Sequence, residues 1–271
     1  MTDLRLITRR MLLRDLGRGG LAVMVLGGAA CTRVSILETT TTGPEGSSTS
    51  GPSTTTPGST TSSAGASTKG SQPAGHQWQR VDLGFVSAYI LYRGGEATIV
   101  DTGVGGSEGD IEAALTEIGL GWGDVGALVV THLHPDHQGS VPAVLAATND
   151  VLPWFAGAAD LAGIDAPTEG QAVGDGDSVA GGLEIIETPG HTPGHICVLD
   201  PVAGILVAGD ALTGANGEVA GPSPDFTPDM ELANASVAKL GSFDYEVALF
   251  GHGEPVVSGA SALVAELAGG G

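Results

Sequence analysis

Residues 131–140 read Thr-His-Leu-His-Pro-Asp-His-Gln-Gly-Ser, a stretch dense in side chains that bind metals. The apolar, β-branched residues 127–131 that lead into it predict a buried strand. We expect the ligands to lie on the loop at the end of this strand, where enzymes often place their chemistry. An irregular loop, unlike a helix, can aim successive side chains at one point. The candidate ligands in this stretch are His132, His134, Asp136 and His137.

Three later segments also end in side chains that bind metals. His191 closes Thr-Pro-Gly-His at residues 188–191, Asp210 follows the apolar run 204–208 and a glycine, and His252 lies in Leu-Phe-Gly-His-Gly. Each ligand adjoins a glycine, which lets the backbone turn sharply after a strand. Five of the seven histidines in the chain belong to these motifs, so they predict one shared site rather than scattered histidines.

In this order, the motifs resemble those of the metallo-β-lactamase superfamily of hydrolases, over roughly residues 80–260. They comprise His-x-His-x-Asp-His at 132–137, Thr-Pro-Gly-His at 188–191, Gly-Asp at 209–210 and Gly-His at 251–252. Residues 98–103 match an early strand and turn of the family, whose aspartate (Asp101 here) supports the metal loop.

The resemblance implies an α/β fold, a four-layer αβ/βα sandwich with two sheets face to face and the metals at one edge. The alternation of elements along the chain agrees with layered sheets that have helices outside. Apolar periodicity predicts helices at 108–118, 141–147, 230–240 and 258–267, and an apolar run predicts a strand at 151–155.

The resemblance also divides the ligands between two metal ions. His132, His134 and His191 would hold the first, Asp136, His137 and His252 the second, and Asp210 would bridge them. Imidazole and carboxylate ligands suit two zinc ions, although iron or manganese would accept the same set. The implied enzyme is a dinuclear zinc hydrolase whose bridging hydroxide attacks the carbonyl of an ester, thioester or lactone. Asp136 would be its catalytic side chain, passing a proton to the leaving group.

Other interpretations of the same ligand set stay open at this stage. With Asp210 as the bridging ligand, the ligand set resembles that of the glyoxalase II and lactonase branch more than that of the zinc β-lactamases. A β-lactam hydrolase is therefore the second enzymatic interpretation, and mononuclear iron oxygenase chemistry is a remote one. A metal-binding surface module without catalysis is the interpretation from another functional class.

The N-terminal part of the chain predicts export. Residues 1–31 resemble a twin-arginine signal peptide, with Arg9 and Arg10 before a short apolar run and Cys31 at the position of a lipoprotein cysteine. Residues 32–75, rich in Thr, Ser, Gly and Pro, predict a disordered linker. The catalytic domain would then occupy residues 76–271. We expect a lipoprotein on the extracytoplasmic face of the membrane if Cys31 is acylated, and a secreted protein if the signal is simply cleaved.

The charge of the chain limits the classes of partner that the protein is expected to bind. The formal net charge is −21, and only Arg80, Arg93 and Lys239 supply positive charge after residue 75. Such a surface repels nucleic acids and other polyanions, so the expected partner is a small-molecule substrate.

A few further residues carry expectations of their own. His195 should pack behind the metal ligands, Cys197 should be a buried apolar residue, and His76 should be an exposed residue at the start of the domain. The aromatic residues Trp154, Phe155 and Phe226 are candidates for an apolar wall of the site, although ordinary core packing is the favoured interpretation of them.

Overall fold

The computed structural model describes residues 75–270. The predicted export signal, and the predicted linker except for Gly75, lie outside the described residues, so both stay predictions. Within 75–270, no helix is both long and apolar enough to cross a membrane.

The first sheet has six strands that lie side by side in chain order. Its first three strands are antiparallel, and its last four run parallel to one another. They are β1 (Gln77–Asp82), β2 (Ser87–Arg93), β3 (Glu96–Val100), β4 (Val125–Val130), β5 (Trp154–Gly157) and β6 (Gln171–Val173).

The second sheet has five strands in the order β13-β10-β9-β8-β7. All its neighbours are antiparallel except β10 and β13, which run parallel. Its strands are β7 (Ser178–Val179), β8 (Leu183–Glu187), β9 (Ile196–Asp200), β10 (Ile205–Gly209) and β13 (Val247–Phe250). A separate hairpin joins β11 (Thr213–Ala215) to β12 (Glu218–Ala220).

Five α-helices complete the described residues. They are α1 (Glu108–Glu117), α2 (Pro135–Gln138), α3 (Val141–Ala147), α4 (Met230–Leu240) and α5 (Ala260–Gly269). The predicted helices at 141–147 and 230–240 have the expected bounds, and the other two predicted helices differ by one or two residues.

Three apolar clusters define the layers. Between the sheets, Tyr89 and Val129 of the first sheet pack with Ile185, Val207 and Leu249 of the second. Strands buried on both faces need apolar residues at consecutive positions, and β4 and β10 have them. The two sheets therefore enclose a single core.

The outer faces of the sheets are covered by helices. Leu115 of α1 and Leu145 of α3 pack on the first sheet, while Val237 of α4 and Val264 of α5 pack on the second. This order of helix, sheet, sheet and helix is the four-layer αβ/βα sandwich expected from the sequence, so the fold class is confirmed.

The predicted strand at 151–155 is wrong in its position, because the strand forms at Trp154–Gly157. Asn149 and Asp150 adopt positive φ angles of 57° and 56° after α3, and they prolong the turn. Val151 is consequently 79% exposed rather than part of a buried strand.

The strands that carry the candidate ligands end at one edge of the sandwich. β3 and β4 run parallel in one sheet, and β10 and β13 run parallel in the other, so their carboxyl ends coincide. Backbone hydrogen bonds join the sheets there: Ser87 N donates to Gly251 O, and Ile196 N donates to Thr131 O, both over 2.9 Å. The loops after these strands therefore meet in one place.

His76 is buried, which corrects the expectation of an exposed residue. The carboxylate of Asp200 accepts a hydrogen bond from His76 N (2.7 Å) and pairs with His76 Nδ1 (2.6 Å). Its other oxygen accepts from the backbone N–H groups of Val202 (2.8 Å) and Ala203 (2.9 Å). Asp200 thus holds the start of the described chain against the turn between β9 and β10.

The Asp200 carboxylate should make the stability of the protein depend on pH. Burial would raise the pKa of Asp200, but the surrounding donors outweigh burial and lower it. A depressed pKa in the folded state adds stability above the unfolded value of about 3.9, and this stability is lost as pH falls through the folded pKa. Asp200→Asn should therefore reduce the free energy of unfolding by about 2 kcal/mol at pH 7, because both oxygens accept hydrogen bonds.

Urea denaturation of the full chain at pH 7 and in steps down to pH 3 measures this effect. The difference between Asp200→Asn and wild type should shrink at the acid end, while Asp244→Asn, at an exposed carboxylate, should match wild type throughout. A difference that stays constant with pH would contradict the assigned role of the carboxylate.

Candidate metal centre

Seven candidate ligands, all predicted from the sequence, come together at the shared edge of the two sheets. The potential ligand atoms form two groups, each within 4.8 Å. One group is His132, His134, His191 and Asp210, and the other is Asp136, His137 and His252.

Asp210 lies between the two groups. Its carboxylate oxygens are 3.3 Å from the Nε2 atoms of His137, His191 and His252. Burial would raise the pKa of this carboxyl, but the three nearby histidines lower it far below its usual range. Asp210 is therefore an ionised carboxylate within reach of ligands from both groups.

The outward-facing ring nitrogens of two histidines are held by oxygen acceptors. His137 Nδ1 lies 2.8 Å from Asp101 Oδ2, and His252 Nδ1 lies 2.6 Å from the carbonyl oxygen of Phe85. Neither acceptor can donate a proton when Asp101 is ionised. The proton therefore resides on Nδ1, and Nε2 faces the centre.

Hydroxyl groups orient two more histidines in the same way. Thr131 Oγ1 donates to Asp101 Oδ2 (2.8 Å), so it accepts from His132 Nδ1 at 3.0 Å. Thr227 Oγ1 donates to the carbonyl oxygen of Ser223 (2.7 Å), so it accepts from His191 Nδ1 at 3.0 Å. Both rings consequently turn Nε2 towards the centre as well.

His134 has the opposite orientation. Its Nδ1 atom faces the centre, at 3.0 Å from Nε2 of both His132 and His191. The Nδ1 atoms of His132 and His191 hold their protons, so their Nε2 atoms have lone pairs only. Of the three ring nitrogens that meet here, only His134 Nδ1 could carry a proton, and one proton cannot bond well to both neighbours. A cation satisfies this arrangement better than a hydrogen bond does.

Buried atoms without partners support the same conclusion. Among the described residues, His137 Nε2 and Asp210 Oδ1 are two of only three buried side-chain nitrogen or oxygen atoms that make no hydrogen bond. Buried polar atoms are almost always satisfied, so a missing partner points to an ion or water. The donor set and these two atoms therefore fit divalent metal ions.

The titration behaviour of the rings depends on the neighbouring carboxylates. Burial lowers the pKa of His132 and of His134, which keeps both rings neutral. Burial also opposes protonation of His137, but Asp101 and Asp210 outweigh it and raise the pKa to about 10. Hydrogen bonding to Asp136 and Asp210 raises the pKa of His252 to about 10. Without a bound cation, these last two rings would therefore carry a proton on Nε2 that balances the carboxylates, and a metal ion would take the place of that proton.

The segment after His134 is a short helix rather than the irregular loop that we expected. His134 precedes helix α2, and Asp136 and His137 lie within it. Pro135 suits the first position of a helix, where no backbone donor is needed. Their place within this short helix, after His134, brings both side chains to the second group.

Asp160 ties two ligand loops together, and it was not predicted from the sequence. Its buried carboxylate accepts hydrogen bonds from Leu133 N (3.1 Å) and Gly194 N (2.8 Å), and from the hydroxyl of Thr192. It thereby links the loop of His132 and His134 to the loop of His191. Asp160 follows Gly-Ala-Ala and stands near no other ligand-type residue in sequence, so no motif marks it.

His195 lies behind the ligands, as expected. Burial lowers the pKa of His195 to about 3, so the ring is neutral. Its Nε2 accepts from the backbone N–H of Asp210 (3.1 Å), and its Nδ1 therefore donates to Thr188 Oγ1 (2.7 Å). The ring fixes the backbone from which Asp210 reaches the centre. Cys197 is buried nearby, which confirms its predicted character.

A cavity of about 550 Å³ opens over the ligands. His134, Asp136, Asp210 and His252 contribute to its wall, together with Phe85 and Phe226. Trp154 is buried in the core under α3 and Phe155 packs between the sheets, so core packing, the favoured interpretation of both, is confirmed and neither forms a wall of the site. Phe85 was missed, although a phenylalanine beside Gly84 in a turn is a signal of exposure.

Comparison with known proteins agrees with the architecture. The profile of the Metallo-beta-lactamase superfamily matches residues 81–252. The "Probable metallo-hydrolase YflN" of Bacillus subtilis is 30% identical over 200 residues, which cover 58% of this chain and 75% of that protein. A hydroxyacylglutathione hydrolase of Rhodospirillum rubrum is 41% identical over 100 residues, 35% of this chain and 37% of that enzyme. The chain thus spans little more than a third of that relative.

A solved structure shows the same fold. A metallo-beta-lactamase family protein from Thermus thermophilus has a TM-score of 0.59 at 23% identity, covering 72% of this chain and 79% of that protein. The similarities indicate a metal-dependent hydrolase. The family profile spans more than half of the sequence, and the chain therefore belongs to the metallo-β-lactamase superfamily.

Proposed function

We propose that this protein is a dinuclear zinc hydrolase that cleaves esters, thioesters or lactones. One observation carries the proposal: seven donor side chains converge, and hydrogen bonds on the outer side of four imidazoles turn their Nε2 atoms inward. A structural zinc site usually has four closed ligands and often uses cysteine, whereas this set opens into a cavity.

Asp210 supports a site for two ions rather than one. It groups with His132, His134 and His191, yet it also lies 3.3 Å from the Nε2 atoms of His137 and His252. In the proposed arrangement the first three histidines hold one ion, Asp136, His137 and His252 hold the other, and Asp210 joins them. Paired ions of this kind supply Lewis acidity and lower the pKa of bound water to about 7.

The chain itself would orient the reactants and move a proton. In the proposed reaction, the elements of water add across the bond between the acyl carbon and its leaving group. The acyl carbon gains a hydroxyl group, and the leaving oxygen or sulfur takes a proton. No serine or cysteine nucleophile is required, and Cys197, buried below the site, has a thiol pKa raised by burial to about 12.

Asp136 is the proposed proton carrier. It lines the cavity, and its side chain is 28% exposed, whereas that of Asp210 is 9% exposed. Hydrogen bonding from His252 lowers the pKa of Asp136, so the carboxylate is ionised and able to accept a proton. Its Oδ2 lies 3.4 Å from His252 Nε2. This position at the open side of the ligand group is suited to delivery towards a leaving group.

A panel of chromogenic substrates separates the alternatives. Zinc-loaded protein should hydrolyse esters, thioesters or lactones and lose this activity in chelator. Turnover of nitrocefin at a comparable kcat/KM would favour the β-lactam alternative. Protein that holds two zinc ions and leaves every substrate intact would favour a non-catalytic metal-binding module.

The cellular location is proposed from the sequence alone. We propose that residues 1–31 direct export, that Cys31 carries a lipid on the extracytoplasmic face, and that residues 32–75 form a tether. Metabolic labelling with a radioactive fatty acid tests the anchor, with Cys31→Ser as its control.

Removal of the bridging carboxylate should abolish the activity. Asp210→Ala should lower kcat/KM by roughly 100-fold or more and reduce the zinc content below two per chain, because both ion sites lose a ligand. Elemental analysis and ester hydrolysis measure the two effects, with circular dichroism to show that the fold is retained. Asp244→Ala is the control. Undiminished turnover in Asp210→Ala would remove this residue from the bridge.

Gly251 should be required for the space that the ligands occupy. A Cβ atom at this position would collide with Asp210 Oδ1 and with His137 Cε1, although the backbone conformation itself is open to other residues. Gly251→Ala should therefore lower zinc content and activity while the strands remain folded. A Cβ at Gly109 in helix α1 meets nothing within 4 Å, so Gly109→Ala is the matched control. Equal zinc content in the two variants would contradict the geometry.

A further inference from the structure

Two exposed phenylalanines stand at the cavity above the candidate ligands. Phe85 is 63% exposed and Phe226 is 67% exposed, and both line the cavity. The other three phenylalanines of the chain, Phe155, Phe243 and Phe250, pack in apolar clusters. Exposed aromatic side chains that border a cavity usually contact a ligand, so these two are the candidates for binding substrate.

Both phenylalanines belong to turns that also hold ligand histidines. The carbonyl oxygen of Phe85 accepts the hydrogen bond from His252 Nδ1, and the Phe85 ring stacks on the His252 ring with centroids 6.3 Å apart. Phe226 directly precedes Thr227, whose hydroxyl accepts from His191 Nδ1. Each group of ligands thus has an aromatic residue at, or directly beside, the residue that orients one of its histidines.

Apart from the candidate ligand histidines, the described residues offer the cavity no arginine or lysine side chain. All three of their basic residues are engaged elsewhere. Arg80 pairs with Glu254 (2.8 Å) and donates to Gly253 O and Ser87 Oγ. Arg93 donates to Gly181 O. Lys239 pairs with Asp175 and donates to Glu187 O. None of the three lines the cavity.

Acidic residues are close in sequence to both aromatic residues instead. Asp82, exposed at the end of β1 and 3.8 Å from Arg80 Nη1, lies three positions before Phe85, and Asp225 is exposed directly before Phe226. Any bound metal ions would face the scissile group at the ligands. A carboxylate farther along a substrate would therefore meet aromatic rings and like charge.

We propose that the cavity selects uncharged substrates with an apolar acyl group, which lies between Phe85 and Phe226 while its carbonyl faces the ligands. This inference rests on the proposed hydrolase function and names its substrate class. It excludes acyl groups that end in a carboxylate, and it predicts poor turnover of anionic substrates such as β-lactams and glutathione thioesters.

Ester hydrolysis by the zinc-loaded full chain tests the length dependence. Each methylene buried against the rings should raise kcat/KM by up to roughly threefold, so p-nitrophenyl octanoate should exceed the butanoate by about 10-fold or more. The p-nitrophenyl monoester of octanedioic acid, which has the same chain length and a terminal carboxylate, should be at least about 10-fold poorer than the octanoate. Equal rates for the three esters would overturn the proposal.

Matched variants assign the effect to the aromatic residues. Phe85→Ala and Phe226→Ala should each flatten the rise in kcat/KM from butanoate to octanoate. Val202 is 60% exposed in the turn before β10, at the opposite end of that strand from Asp210. Val202→Ala should keep the full rise. A rise that survives in Phe85→Ala and Phe226→Ala would overturn the proposal.

A designed charge provides the converse test. Ser223 lines the cavity, so Ser223→Lys places a cation there, with Ser223→Gln as the uncharged control of similar length. The lysine variant should raise kcat/KM for the octanedioic monoester relative to the octanoate by at least about fivefold, an effect that falls with added salt. No change in this ratio would contradict the proposed exclusion by charge.

Binding measured without turnover separates this inference from the proposed function. Calorimetry with octanamide should show binding with a negative heat-capacity change, and the amide of the same length that ends in a carboxylate should bind at least about 10-fold more weakly. If esters are not hydrolysed but octanamide binds, the proposed function fails and the selection of apolar acyl groups stands. If short esters are hydrolysed and octanamide does not bind, the selection fails and the hydrolase stands.

Discussion

The hydrogen bonds to the outer nitrogens of four histidines are the interactions on which the site depends. Oxygen atoms of Thr131, Asp101, Thr227 and Phe85 hold the Nδ1 protons, so four Nε2 atoms point at one centre. A neutral imidazole has one donor and one acceptor nitrogen, and only the partner of the first decides where the second points. The geometry of the centre is therefore set by residues that contact the ligands from behind and do not themselves reach the centre.

The sandwich provides these outer partners because strands of both sheets end at the same edge. Asp101 follows β3 with a φ of 63°, a strained conformation for a residue other than glycine. This turn allows the carboxylate to accept from Thr131 N and Thr131 Oγ1 and from His137 Nδ1. Asp160 plays a related part between the loops of His132 and His191. Local strain at Asp101 is thus compensated by several hydrogen bonds to buried groups.

The four layers were implied by the resemblance to the superfamily, and the strands and candidate ligands could be predicted because both leave local signals. Apolar runs mark buried strands, and histidines beside glycines mark the turns that follow them. Long-range contacts leave no such signal. Asp160 acts through Leu133 and Gly194, which are distant in the chain, and His76 is buried by Asp200, 124 positions away. The short helix after His134 also escaped prediction, because its four residues, of which Pro135 is the first, are too few to show a helical periodicity.

The exposed part of the site differs in kind from its buried floor. The floor is charged and fixed by hydrogen bonds, whereas the rim at Phe85 and Phe226 is apolar and lies in an acidic domain. The floor would set the chemistry, and the rim would set which substrates reach it. Members of one fold can differ in substrate through such rims while they share a floor.

Anomalous diffraction at the zinc absorption edge, from crystals of zinc-loaded protein, tests the central claim most directly. We predict two zinc peaks joined by Asp210, with Nε2 of His132, His137, His191 and His252, and Nδ1 of His134, as ligands. A single peak, or rings that turn Nδ1 of those four histidines to the metal, would contradict this claim.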